Sequence, residues 1–497
     1  MMQTFQARLN SDERMMAILV GLSLGALTVI FGVLTALGGP LIGFGGLIGL
    51  AVALYVLTDL MGGLYTTLAV VALLPFATLP VKIALTPSFI DMALGGFLLV
   101  YLFQWMTGQR SRPRFLLVHL LIVAFMGFVL FSFVAGLGYG VPTTNILHKF
   151  VELLLSMAVA IILSDVIRDV PTLRRVTQLL LLLGALQAVM GIGLITINAQ
   201  TAERLLNALS RFGYPAGGVI RYIEENPALA ERAIGTWVDP NAYGGFLVLI
   251  GVLGMTQLLA REPVIRPRWA IGLLAAPVLL ALLLTQSRGV LVGLGAAVLL
   301  ISVIRYRWLL VVEVITAAAF YVLPFTQSYV ARLLQGVNNQ DLATQMRFGE
   351  YKDALILIQR YPLIGTGFVG TPQRDIYLSV SSLYLTIAEN SGLLGLSLFI
   401  LVMVAIFGYG LRQWRAMRRD PLLEGMWLGY TLALVGALIS GIFDHFYFNV
   451  EFNGASLIFW TVGGLALTAA RLATETNTIP LLSFDNNPLN NPAKEAS

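Results

Sequence analysis

The chain contains no cysteine. That absence excludes disulfides, thiolate metal sites and a cysteine nucleophile, and it leaves the compartment open. Charge is scarce as well. Only 11% of the 497 residues are Asp, Glu, Lys or Arg, less than half of the roughly 25% of a soluble chain. No Asp-x-Asp pair occurs in the long loops to hold a divalent metal. No internal repeat is visible, and no ionisable residue falls clearly at the middle of an apolar run. No metal, cofactor or nucleic-acid partner is therefore expected.

What the chain has instead is apolar surface. Hydrophobic residues make up 58% of it, the mean hydropathy is +0.83, and apolar runs repeatedly reach the roughly 17 to 25 residues that cross a bilayer as helix. The fold class is all-α, a polytopic transmembrane helix bundle of about fourteen spans with two long external loops. The spans fall near 15–37, 41–58, 63–80, 89–107, 115–138, 146–167, 176–197, 242–260, 269–286, 289–304, 308–325, 383–411, 422–443 and 454–471. The polar start with Arg8 and Arg14 precedes a run too long for a signal peptide and without a small-x-small cleavage site, so the first span reads as uncleaved.

The arginines orient the bundle. With the N-terminus inside, the inner connections carry Arg110, Arg112 and Arg114, then Arg168, Arg174 and Arg175, then Arg261, Arg266 and Arg268, and so on to Arg418 and Arg419. This bias sets both termini in the cytoplasm. The organisation is then an N-terminal transmembrane region (1–197), a region with external loops 198–241 and 326–382 (198–471), and an Asn- and Pro-rich cytoplasmic tail (472–497) that reads as disordered. Long loops cross regardless of charge, so their own arginines do not upset the assignment.

The second loop contains a helix. In "TQMRFGEYKDALILIQRYP", Phe348, Tyr351, Leu355 and Ile358 recur at helical spacing, and Pro362 ends the run. The following "GTGFVG" matches G-x-G-x-x-G but follows no strand, so its glycines read as turn residues. Ionisable residues cluster at the outer ends of spans: Asp91, Glu152, Glu389, Asp444, His445 and Arg288. The apolar run after Arg288 covers only roughly 24 Å of a ~30 Å core, which draws Arg288 to the outer interface beside Thr285, Gln286 and Ser287. His119 and Glu313 lie toward the inner side and read as structural. Arginine forks suit a diphosphate, because they bind phosphate oxygens bidentately and stay charged. Charges at this depth fit the headgroup of a lipid-linked substrate, with its tail between helices.

Four stretches in order, "RAIGTWVDPNAYGGFL", "LLLTQSRGVLVGLG", "RFGEYKDALILIQRYPLIGTGF" and "SSLYLTIAENSGLLGLSLF", resemble the successive blocks of the O-antigen ligase and polymerase family. The resemblance covers roughly residues 230 to 470. It implies an all-helical glycosyltransferase that takes an undecaprenyl-diphosphate-linked glycan at the outer face of the plasma (inner) membrane. It passes the glycan to a glycan, lipid or protein acceptor without a cofactor. It also implies donor-diphosphate roles for Arg232, Arg288 and Arg347. Ligases of the family usually carry a His-Asn pair where this chain reads Ser381-Ser382. Either the base lies elsewhere, with Asp444, His445 and Glu389 as candidates, or none is needed. The absence favours a polymerase over a ligase proper. The competing class is a transporter of a small anion such as bicarbonate, whose site would lie at the midplane between broken helices.

Overall fold

The computed structural model describes residues 39–80, 86–110, 113–327, 342–369 and 380–478, with scattered positions of 21–36 and residues 330, 331 and 334. The first expected span, 15–37, Arg332, Arg374 and the tail from residue 479 lie largely or wholly outside the described residues. Eight described helices are long and apolar enough to cross a membrane, and five more are apolar but shorter. The chain divides into two compact units, residues 1–112 and 113–497.

The first unit contains α1 (Pro40–Thr58), α2 (Leu60–Leu73) and α3 (Phe89–Met106). Local sequence explains their ends. Asp59 caps α2 by accepting the Gly62 N–H at 2.8 Å, which satisfies one of the orphan donors of a first turn. Ser88 and Asp91 form a reciprocal capping box on α3, with Asp91 N–H to Ser88 Oγ at 2.9 Å and Ser88 N–H to Asp91 Oδ2 at 2.6 Å. Asp91, one of the ionisable residues at a span end, is thus a cap.

The second unit begins with α4 (Leu117–Gly136), α5 (Thr144–Val166), α6 (Val170–Thr196) and the short α7 (Ala199–Ala208). A two-residue hairpin of β1 (Arg221–Tyr222) and β2 (Glu231–Arg232) follows. Then come α8 (Pro240–Leu259), α9 (Arg268–Leu284), α10 (Arg288–Ile304), α11 (Trp308–Val322) and α12 (Leu342–Arg360). The last long helices are α13 (Leu383–Arg412), α14 (Pro421–Ser440) and α15 (Asn453–Thr478). Helix α15 takes in the first residues assigned from the sequence to the tail.

The centre of this unit is α8 and α15, whose membrane-length windows are 83% and 94% buried, while α4 and α13 stand at 39% with their other faces exposed. Helix α14 packs against α8, α10 and α15, and α5 runs along α15. The glycine pair after the Asp-Pro-Asn turn permits the close contact expected of it. A Cβ at Gly245 would collide with the Phe446 ring, and one at Gly244 would stand 3.1 Å from Val290.

Helix α13 is broken, which the sequence reading does not anticipate. Gly392 has φ 68° and ψ −179°. The loop from Pro362 to Gly367 fills the break: Leu393 N–H donates to Pro362 O at 2.7 Å, Thr366 N–H to Glu389 O at 2.8 Å and Gly367 N–H to Asn390 O at 2.9 Å. Gly365 (φ 77°) approaches so closely that a Cβ would be 2.5 Å from the Asn390 carbonyl carbon. Gly365 and Gly367 of the "GTGFVG" run are therefore turn residues, but turn residues docked into a helix, while Gly370 lies outside the described residues. The Ser132 hydroxyl on α4 donates to Ile364 O at 2.9 Å and ties the same loop to a third element.

Candidate active site

Five helix ends meet at one end of the second unit: the starts of α8, α10 and α13 and the ends of α9 and α14. Backbone bonds and side-chain contacts join them. Asp239 caps α8 by accepting the N–H groups of Asn241 and Ala242, both at 2.8 Å, and Pro240 occupies the first helical turn, where its missing N–H costs nothing. Just before it, Trp237 is fully buried and stacks on Phe246 at 5.0 Å. This anchor fixes the chain direction into the bundle.

Arg232 leaves β2 and points into this junction. Its Nε–H donates to Thr285 O at 2.9 Å and its Nη2 to Asn241 Oδ1 at 2.7 Å. The Ala233 N–H donates to Leu284 O at 2.9 Å, so the strand is sewn to the end of α9. Between α9 and α10 the chain turns through Gln286 at φ 56°, and Val238 sits at φ 62°. Left-handed backbone in residues other than glycine costs about 1–3 kcal/mol each and collects at ligand clamps. Both outliers flank the arginines. Arg288 is the first residue of α10, and its Nη2 lies 3.5 Å from the Thr344 hydroxyl on α12.

Helix α12 crosses this end. Thr344, Arg347 and Tyr351 follow one another at i, i+3 and i+7 and so share a face. The same face continues into the buried Ala354 and Ile358, whereas Phe348 and Leu355 are 55% and 50% exposed. The face read from the sequence was displaced: Ile358 and Tyr351 belong to the packed side, Phe348 and Leu355 border it. Hydrophobicity alone cannot tell a packed flank from an open one, and here a stripe of polar residues packs inward. The Tyr351 hydroxyl donates to Ser381 O at 3.0 Å and to Ile442 O at 3.3 Å, and the Glu350 carboxylate accepts the Ser381 N–H at 2.8 Å. Burial raises the Tyr351 phenol above its ordinary value, so it remains a donor.

The turn after α14 completes the cluster. Leu383 N–H donates to both Gly441 O at 2.7 Å and Asp444 O at 2.9 Å, which seats Ser381-Ser382 against the 441–445 turn. Asp444 Oδ1 accepts the His445 N–H at 2.8 Å and lies 3.6 Å from His445 Nδ1, with both side chains 13–14% exposed. Burial holds the Asp444 carboxyl above the usual carboxylate range and the Asp239 charge adds to this, while His445 and Arg347 oppose it. His445 Nδ1 is buried without a hydrogen-bond partner among the described residues.

The structure thus brings Arg232, Arg288, Arg347, Asp444 and His445 to one junction. Glu389 lies elsewhere on α13, buried at the Gly392 break with its carbonyl bonded to Thr366. Glu152 is likewise occupied: its carboxylate accepts from Asn453 Nδ2 at the start of α15. Sequence reasoning missed Asn241, Thr344, Glu350 and Tyr351, because uncharged polar residues and an acid in a solvated loop carry no local mark of convergence. The i, i+3, i+7 spacing of Thr344, Arg347 and Tyr351 was the available signal. His119 and Glu313, which the sequence reading takes as structural, have hydrogen-bond partners of their own. His119 Nδ1 accepts the Leu116 N–H at 3.1 Å, and Glu313 accepts from the Ser302 hydroxyl.

Residues 270–400 match a family model described as O-antigen ligase. No curated protein matches the chain. The matched stretch runs from α9 into α13 and contains Arg288, Arg347 and Tyr351, while Arg232, Asp444 and His445 lie outside it.

Proposed function

We propose, from the premise that this multi-pass membrane protein carries an O-antigen ligase region, that it moves glycan from an undecaprenyl-diphosphate-linked donor to an acceptor hydroxyl at the outer face of the plasma membrane. The observation that carries the reading is the junction itself. Arg288 and Arg347 on two elements, with Arg232 from a third, converge on the helix ends that also carry Asp444, a mostly buried carboxyl of raised affinity for protons. The acceptor oxygen attacks the anomeric carbon and the bond from that carbon to the diphosphate oxygen breaks. The diphosphate departs with the electron pair, and the arginines stabilise its growing charge. The acceptor proton passes to Asp444, beside His445. A carboxylate of raised pKa is a stronger base than an ordinary one.

Ser381-Ser382 stands where ligases usually carry His-Asn, and the Leu383 bonds place the Asp444-His445 turn against that position. This supports a base supplied from the turn after α14 and favours polymerisation of repeat units over ligation. The charged groups of the junction sit at helix ends, and the α13 break is filled by protein, so a midplane transport site has less support.

The test uses purified protein in proteoliposomes with a synthetic prenyl-diphosphate repeat unit. Arg288→Ala should lose transfer while remaining folded, since a charge-assisted bond to a buried phosphate contributes ~1.5–3 kcal/mol. Arg288→Lys should be partly active, because an ammonium lacks the bidentate fork. Full turnover and donor affinity in Arg288→Ala would remove the site. Cells without the protein should accumulate lipid-linked oligosaccharide, an outcome that an anion transporter does not produce.

A further inference from the structure

Arg221 lies in the first long loop, where a charge is ordinarily solvated, and its placement argues for more. It pairs directly with Arg232 in the β1–β2 register, Arg221 opposite Arg232 and Tyr222 opposite Glu231. Opposite residues of an antiparallel pair project from the same face with Cβ atoms roughly 4.5–5.5 Å apart, and like charges so placed repel. The hairpin does not relieve that repulsion well. Arg221 Nη1 is 3.6 Å from Glu225 Oε2, beyond hydrogen-bond length, and the Glu225 side chain is 71% exposed, so solvent screens the pair. Arg221 Nε is buried and has no hydrogen-bond partner among the described residues. The turn that closes the hairpin holds Glu224 and Glu225 both at φ 53°, a left-handed conformation that only a surrounding structure sustains. A like-charged pair, an orphaned donor and a strained turn thus converge beside a residue whose own guanidinium is fixed on Thr285 and Asn241.

We infer that Arg221 is a further donor-binding residue, which receives an oxyanion of the substrate diphosphate alongside Arg232. The inference rests on the function proposed above. A diphosphate offers several oxygens to one site, and an anion shared by the two paired strands gives their like charges a common partner.

Inorganic pyrophosphate is the probe, bound to the detergent-solubilised full chain and followed by calorimetry and thermal midpoint. Arg221→Gln should weaken pyrophosphate about tenfold to hundredfold, Arg221→Lys should fall between, and the exposed Arg211→Gln should change nothing. Without pyrophosphate the midpoint of Arg221→Gln should be unchanged or raised, because a repulsion is removed. If Arg221→Gln instead lowers the midpoint and binds pyrophosphate like the parent, Arg221 is a brace and the inference is wrong. Loss of binding in Arg288→Ala with parental binding in Arg221→Gln also overturns it and leaves the proposed function standing. Parental binding in both variants removes that function's site as well.

Discussion

Asp444 is the residue at which stability and activity oppose each other. Its carboxyl is 14% exposed and held above the usual range, chiefly by burial. A group whose folded pKa exceeds its unfolded one, about 3.9 for Asp, stabilises the fold fully below the unfolded value. That contribution is lost as pH rises through the folded value. At neutral pH the charged carboxylate is therefore a burden on the fold. Asp444→Asn should raise the thermal midpoint at pH 7, with a gain that shrinks toward pH 4. The variant keeps an oxygen for the His445 N–H but cannot accept a proton, so transfer should fall by the ~10²- to 10⁴-fold of a lost general base. In the parent, kcat/KM should decline with acidity from a point above the ordinary carboxylate range. Transfer within threefold of the parent in Asp444→Asn would show that positioning of the diphosphate suffices and that no base is used.

Residue identity alone made part of this site legible. Arg232 and Arg288 stand out because a charge in apolar surroundings has few reasons to be there. The Asp239-Pro240 cap is legible because both halves of its logic are local. Asp444 and His445 were visible as ionisable residues at a span end, but their seat beside Ser381-Ser382 depends on the bonds of Leu383, which no periodicity encodes. Glu389 looked equivalent to Asp444 by the same criterion, and the fold separates them.

At the scale of the element, α12 and the α13 break show where pattern reading stops. The α12 helix itself follows from its spacing and from Pro362. Its inward face does not, because Thr344, Arg347 and Tyr351 point to partners on α10, the 381–383 turn and the end of α14. The break at Gly392 follows a short polar stretch, Glu389-Asn390-Ser391, inside one expected span, and its geometry is set by the distant 362–367 loop. Gly392→Ala tests the arrangement. Its φ of 68° disfavours any Cβ, and the added carbon would overlap the Leu363 carbonyl. Stability should fall by roughly 2 kcal/mol or more, read as a lower thermal midpoint, while Gly193→Ala, with open space around it, should be neutral or slightly stabilising. An unchanged midpoint in Gly392→Ala would mean that the loop does not need the break.

For the whole molecule, the arginine alternation predicts a single orientation. The basic α8–α9 connection and the candidate active site lie at opposite ends of α8, with Arg268 Nη2 donating to Ala260 O at 2.7 Å at the one end and Asp239 capping at the other. The cysteine-free chain makes the test direct. Single cysteines at Lys352 and Glu262, both exposed, should react with an impermeant maleimide in intact cells at residue 352 and only after lysis at residue 262. The reverse pattern would place the arginine junction in the cytoplasm and exclude a lipid-linked donor presented from outside. The global class was legible from composition because a bilayer demands long apolar helices whatever their contacts. The span count is less so, since helices such as α2 and α10 are apolar but shorter than a span needs.

The filled break in α13 also bears on biogenesis. Gly392 lies nine residues into the helix, roughly 14 Å from its start at 1.5 Å per residue. Lipid supplies no hydrogen bonds to backbone groups exposed at such a point. The 362–367 loop that bonds them precedes α13 in the chain, so it emerges first from the ribosome and, in the orientation proposed from the arginines, crosses the membrane before α13 leaves the translocation channel. Assembly is thereby ordered by the polypeptide's own direction. A variant whose loop is delayed outside its groove would be lost as an unassembled span to membrane proteolysis, before any question of catalysis arose.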